Sequence, residues 1–467
     1  METRGGSVSG DVRRRMRVLL LYGVLPLGLS AGMLHASGDA RVTAMGGMRL
    51  ALRDRLRDPM DFNPARAVLA PPVIVTRVDA SVRRTFSPPD FFVNFTEDEH
   101  IESGYAARLS LFRELGGVTV GVAARTEAFR ETFRSSFGTE YLVREDMPYH
   151  ASGFECVLGT GRGIWALGAQ VMLYPDIQYG WEYRADVLTG PERRYTARFD
   201  SSAQERITGI RMGVVFVPSE GWTVDWVAGH VASLAGGRLD AAEIDGEQYL
   251  KPDPDLYPYR WWRFQSWETE SMVTRSVSNK VDIACGVGIL PWTTVGSDAV
   301  AAGVYDMLQA RSRSVWVAGG VRHDPDGATT IGTEVSYTHV VTDEERRYWN
   351  LGIGRPAPET SASSQWDVVV MRTGAERALW PFLTVRFGIA KAVLCRLHTD
   401  TRDHINETTR GWTEYNNLEY LWDAGFSVDY AAAGVEVRIG GWRIAYAFSE
   451  MLTQPGSRHQ VEVWRSW

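Results

Sequence analysis

Apolar and polar residues alternate with a period of two in run after run of this chain. Between Val73 and Thr85, Ile74, Val78, Ala80 and Val82 fall on one side and Arg77, Asp79, Ser81 and Arg83 on the other. Val281, Ile283, Cys285, Val287 and Ile289 oppose Asp282, Ala284, Gly286 and Gly288. Leu383, Val385, Phe387 and Ile389 oppose Thr384, Arg386, Gly388 and Ala390, and His459 to Trp467 repeat the rhythm and stop on an aromatic. A strand turns every second side chain to the same face, whereas an amphipathic helix spaces apolar residues three and four apart. The pattern predicts strands from Val73 onward.

The runs come in pairs joined by short turn-forming segments: Gly116-Gly117, Gly161-Arg162-Gly163, Pro218 to Gly221, Ser278 to Lys280, Asp324 to Gly327 and Gly440-Gly441. Glycine supplies positive φ there and proline presets the second turn position. Between pairs the connectors are long and polar, near residues 86–103, 131–150, 175–204, 235–260, 291–311, 341–364 and 395–425, with a shorter one at 450–457. Short turns on one side and long loops on the other are expected of a transmembrane antiparallel β-barrel. The runs number roughly sixteen, within two, an even count that puts both ends on the periplasmic side. We therefore expect an all-β outer-membrane barrel of about 14–16 strands over residues 73–467.

Composition agrees. The 44% apolar content of these 467 residues is low for a helical transporter, while 17 Trp and 18 Tyr could furnish aromatic girdles at two membrane interfaces. A soluble β protein with an aromatic core is the alternative. The net charge of −7 argues against nucleic acid. Lysine occurs only at Lys251, Lys280 and Lys391, so the basic residues are nearly all arginine, through genomic base bias or an arginine-rich lumen. Arg13 to Arg17 precede an apolar run, Val18 to Leu34, and a small residue at Ala36, the layout of a secretory signal over residues 1–36 whose true start could be Met16. Cys156, Cys285 and Cys395 are far apart and sit in strand-like runs, which supports neither a disulfide framework nor a zinc site. They read as small apolar barrel positions.

Residues 37–72 lack strand alternation. They contain Met45-Gly46-Gly47-Met48, then Asp54, then Asn63-Pro64-Ala65. In these motifs the chain resembles the FadL-type family of outer-membrane long-chain fatty-acid and hydrocarbon transporters. The resemblance in motif covers about thirty residues, with compatible architecture over the rest of the chain. It implies that this segment forms a hatch plugging a barrel, usually of fourteen strands. Two departures stand out: Asp54 lies among Arg53, Arg55 and Arg57 in place of an acidic pair, and Arg66 replaces the glycine that often follows Asn-Pro-Ala. Physical reasoning supports a plug as well, because so wide a barrel leaves a channel unless something fills it. A disordered periplasmic leader is the alternative.

Arg77, Arg83, Arg125 and Arg386 fall on the polar side of their strands, as do Asp79, Glu127, Asp282, Glu334, Glu436, Arg438, Arg443 and Glu462. These arginines could bind a ligand carboxylate bidentately or belong to ion pairs that fill the lumen. The Tyr257 to Trp267 cluster reads as an interfacial girdle or as a greasy capture groove. Trp467, with Val463 and Val461 on its face, resembles the terminal strand that the barrel-assembly machinery recognises, although Arg465 interrupts that face. Histidines are scattered, and HExxH, GxSxG and phosphate-loop motifs do not occur, so no catalytic residue, metal or cofactor is expected. The expected partners are a hydrophobic small molecule and outer-membrane lipid, and the expected activity is passive uptake of fatty-acid-like compounds. A diffusion porin, a structural or adhesive barrel and a secretion component are the alternatives.

Overall fold

A computed structural model describes residues 40–45, 47–48, 63–69, 73–87, 97–137, 141–188, 194–244, 247–250, 260–301, 304–350, 355–403, 413–422, 430–451 and 456–466. The signal at 1–36, Gly46, Asp54 and Trp467 lie outside the described residues. The sheet begins with β1 (Val73–Ser87), β2 (Glu97–Leu115), β3 (Val118–Phe137), β4 (Tyr141–Arg162) and β5 (Trp165–Leu188). It continues through β6 (Arg194–Phe216), β7 (Trp222–Ile244), a short β8 (Glu247–Leu250), β9 (Arg260–Ser278) and β10 (Val281–Ala301). Then come β11 (Val304–His323), β12 (Thr329–Asn350), β13 (Arg355–Trp380), β14 (Leu383–Asp403) and β15 (Thr413–Trp422). β16 (Tyr430–Ile439), β17 (Trp442–Met451) and β18 (Gly456–Ser466) complete it.

The described strand pairs are antiparallel, and β18 pairs with β1, Val463 standing opposite Val78. The sheet is closed. β7 pairs with β9 as well as β8, and β14 with β16 as well as β15, so β8 and β15 are branches and the ring counts sixteen strands. Sixteen agrees with the run count and exceeds the family's usual fourteen.

Polarity is inside-out. Leu109, Val122, Leu158, Val171, Ile210, Val287, Val317 and Phe387 are exposed large apolar residues, while Arg108, Glu155, Arg211, Glu334, Arg386 and Glu436 are buried. Only lipid makes such an outer surface favourable, and closure satisfies the backbone N–H and C=O groups that would otherwise be stranded in hydrocarbon. The chain is a transmembrane barrel of the bacterial outer-membrane type. Cys156 and Cys285 share the outward face, exposed on it; the side chain of Cys395 lies outside the description.

The tight turns take the expected form. Gly116 (φ 61°), Gly117 (φ 86°), Gly163, Gly221, Gly327, Gly440 and Gly441 all adopt positive φ. Two successive positive-φ residues match the twist of the flanking strands in a two-residue hairpin. A Cβ at Gly117 would meet nothing within 4 Å, so Gly117→Val should cost only its conformational strain, about 1–2 kcal/mol. A reduced yield of heat-modifiable folded barrel on refolding would measure it. A seventh short turn, at Pro381-Phe382, was missed because it has neither glycine nor an Asn or Asp to mark it.

The distal connectors correct the sequence reading. Much of what reads as long loop is strand: β5 runs on to Leu188, β6 begins at Arg194, and β12 reaches Asn350. Alternation registers only where one face meets lipid. Farther out both faces are polar, so the period-two signal disappears while the hydrogen-bond ladder continues.

Candidate functional site

Two short elements of the N-terminal segment pack on the polar inner face of the barrel: the helix α1 (Ala40–Ala44) and a 3-10 turn, η1 (Pro64–Leu69). α1 ends where the Gly47 N–H donates to Val42 O at 2.8 Å, with Gly47 at φ 81°. That is a glycine closure of a helix C-terminus.

Asn63 anchors η1. Its Oδ1 accepts from the Ala65 N–H at 2.9 Å, an Asx turn, while its Nδ2 donates to Val214 O at 3.0 Å and to Asp225 Oδ1 at 3.1 Å. Arg66 adds a forked pair to the same carboxylate, Nε to Oδ1 at 2.8 Å and Nη2 to Oδ2 at 2.5 Å. The departure from the family's glycine is thereby explained. Arg66 neutralises Asp225, a fully buried carboxylate of β7 that would be very costly if left alone.

Wall glycines make room for η1. A Cβ at Gly168 would come within 2.5 Å of Pro64 O, and one at Gly213 would overlap Asn63. Val68 lies just as closely over Gly159. At Gly168 backbone meets backbone, and at Gly213 and Gly159 side chains of the segment rest on bare wall backbone, an approach that only glycine permits. Ala65 packs with Ala166 and Val215, and Ala67 with Phe112, Ala123 and Val157.

α1 is anchored by charge as well. Arg41 donates Nε and Nη2 to the two Glu376 oxygens at 2.9 and 2.5 Å. Glu376 also accepts from Arg386 at 2.9 Å, Arg386 reaches Glu436 at 2.6 Å, and Glu436 takes Arg438 at 2.8 Å. Thr43 donates to Gln460 at 2.9 Å. Ala44 sits over Gly434, and Met45 and Met48 are fully buried beside Gly374.

Among the candidate head-group arginines, Arg77 is paired with Asp79 at 2.9 Å and stands 3.7 Å from Glu462; Arg125 is paired with Glu127 at 2.7 Å, and Arg386 as above. A ligand carboxylate at any of these would compete with a resident one. Arg83 stands opposite Glu102 and Arg458 in register, its side chain outside the description. Other buried lumen carboxylates are likewise held: Glu155 accepts from Arg108, Gln170 and Tyr174 at 2.6–2.9 Å.

Sequence reasoning missed two aromatic contacts on the inner face. Phe264 and Trp292 face each other at 5.9 Å, and Trp316 packs on Met272, Ala284 and Ala318 across Gly288. The Tyr257 to Trp267 cluster is therefore divided. Tyr257 to Tyr259 lie outside the description, Trp267 is exposed outward beside His230, and Phe264 turns inward. His100, Glu102 and Glu131 also converge within 4.8 Å. His100 Nε2 is 2.5 Å from Glu131, which makes this a hydrogen-bonded cluster across β2 and β3.

No family model and no curated protein sequence matches the chain. Solved structures similar to it include the Ralstonia pickettii toluene transporter TbuX, at 13% identity over 91% of this chain and 97% of that one, TM-score 0.40. A Pseudomonas aeruginosa FadL homologue gives 12%, 92% and 97%, TM-score 0.41, and the Pseudomonas putida toluene transporter TodX gives 12%, 91% and 96%, TM-score 0.38. The outer-membrane barrel with its N-terminal segment seated inside rests on the chain's own strand register and side-chain contacts.

Proposed function

We propose that the chain takes up hydrophobic small molecules, fatty-acid-like chains among them, across the outer membrane through a barrel plugged by its N-terminal segment. The observation that carries this reading is the double docking of that segment on the inner wall, by glycine fit and the Arg66–Asp225 pair at η1 and by the Arg41–Glu376 pair at α1. A general diffusion porin has no use for such a segment. The cargo class is supported by Trp292 and Trp316, half-buried aromatics of the inner face that pack on Phe264 and on Met272, Ala284 and Ala318, respectively. Burying apolar ligand area there contributes about 25 cal/mol per Å². The paired lumen arginines favour recognition through the apolar body of a ligand over its head group.

Deleting residues 38–69 should turn a tight barrel into a leaky one in planar-bilayer recordings, and mass spectrometry of extracts from the intact protein should show a copurified apolar ligand. Unchanged conductance would count against the plug. Free passage of sugars into liposomes through the intact protein would instead favour a porin.

A further inference from the structure

Past the lipid-facing belt, the outer face of β3 to β6 carries a row of arginines. Arg134 stands opposite Arg144, Arg144 opposite Arg184, and Arg184 opposite Arg198. Like charges directly opposed on neighbouring strands are destabilising. On β11 and β12, by contrast, Arg311 stands opposite Asp343, an ordinary complementary pair.

An acidic row lies beside the basic one: Asp146 faces Glu182, and Glu182 faces Asp200. Arg144 reaches Asp146 and Arg198 reaches Asp200, both at 2.6 Å, while Arg184 stands 3.5 Å from Glu182 and Arg134 3.5 Å from Glu99. Exposure separates the two layers except at Glu182, which is 47% exposed. Asp146, Glu99 and Asp200 are 6%, 16% and 18% exposed, whereas the four arginines are 44–59% exposed. Carboxylates thus lie mostly underneath and guanidinium groups form the outermost layer, joined by Arg84 and Arg130 at 64% and 56%. A guanidinium has five N–H donors, so one carboxylate does not exhaust it.

Height narrows the partner. On β6 the outward face reads Phe216, Val214, Met212 and Ile210, then Thr208 and Arg206, with Arg198 farther out. At about 3.3 Å per residue and a strand tilt near 40°, Arg198 stands roughly 20 Å beyond Arg206. The phosphate of a simple phospholipid sits at the belt edge, well below. The sugar core of an outer-leaflet glycolipid, with its phosphates and carboxylates, reaches that far.

We propose that the Arg134–Arg144–Arg184–Arg198 row is a docking face for the phosphorylated sugar core of an outer-leaflet glycolipid. Arginine suits phosphate through forked, charge-assisted hydrogen bonds, and anionic groups relieve the cross-strand repulsion. The proposal needs the barrel and is independent of the transport reading.

The test titrates the full chain, in neutral detergent micelles, with three probes: a phosphorylated glycolipid bearing its core sugars, the same glycolipid after phosphatase treatment, and phosphatidylglycerol. The first should bind best. Arg144→Gln with Arg184→Gln should weaken its binding by about thirtyfold, given about 1 kcal/mol per arginine. Lysine at the same two positions should retain most of the affinity, and Arg275→Gln, on the outer face of β9, should leave it unchanged. Undiminished binding by the double glutamine variant, or equal binding of the phosphatase-treated glycolipid or of phosphatidylglycerol, would overturn the proposal. Heat-modifiability reports folding. Should the double variant fail to fold, Arg184→Gln alone carries the test, with a loss of about fivefold expected and no loss overturning it.

Discussion

Valine in place of Gly213 should release η1 from the wall and give the barrel a stepwise, open-channel conductance. A Cβ there would overlap the Asn63 carboxamide and come within 2.9 Å of its Cγ. That side chain has nowhere to retreat, because Val214 O, Asp225 and the Ala65 N–H fix it from three directions. Making room sacrifices those hydrogen bonds and pulls Arg66 away from Asp225, a loss of about 3–5 kcal/mol. The segment then spends its time undocked. Gly319→Ala is the matched control, since a Cβ there meets nothing within 4 Å, and it should conduct like the parent. An unaltered trace from Gly213→Val would mean that η1 does not occlude the pore.

The second large effect is expected at Glu376. Alanine removes the carboxylate that joins Arg41 of α1 to Arg386 of the wall. Arg386 is 2% exposed and keeps Glu436, yet its Nε loses its acceptor in a site closed to water. Breaking a buried pair of this kind costs about 3 kcal/mol or more. We expect a lower unfolding temperature in heat-modifiability assays, together with brief conductance bursts as α1 detaches and returns. Glu376→Gln should fall between, because an amide can still accept from Arg41 while leaving the charge uncompensated. Loss of stability without bursts would assign Glu376 to the wall alone.

The strands that touch lipid were legible because their environment differs between the two faces, as in Ile283, Cys285 and Val287 against Ala284 and Gly286. Turns were legible where glycine marks positive φ or Asn279 marks the bend, and hidden at Pro381-Phe382, where neither occurs. Asn63-Pro64-Ala65 announced itself as a motif, and Asn63 does close an Asx turn. Its receptor could not be read, because it consists of glycines in β5 and β6, Gly168 and Gly213, more than a hundred residues away. A missing side chain leaves no polarity signal. Arg66 looked like a flaw in the motif until Asp225 was placed beside it. The inward turn of Phe264 was equally hidden, since β9 is rich in aromatics on both faces and its phase could not be fixed.

Arg465, which breaks the apolar face of β18, lies over the ring of Trp442 at 4.7 Å, while Arg443 lies over Trp464 at 4.6 Å. The two contacts are reciprocal, Trp442 being opposite Arg465 and Arg443 opposite Trp464 in register. They sit on opposite sides of one hairpin, so a slip by one residue would break both at once and carry each cation to the wrong surface. This hairpin also supplies the edge that meets β1. The seam of the cylinder is thus keyed against misalignment by the residue that seemed to spoil its terminal signature.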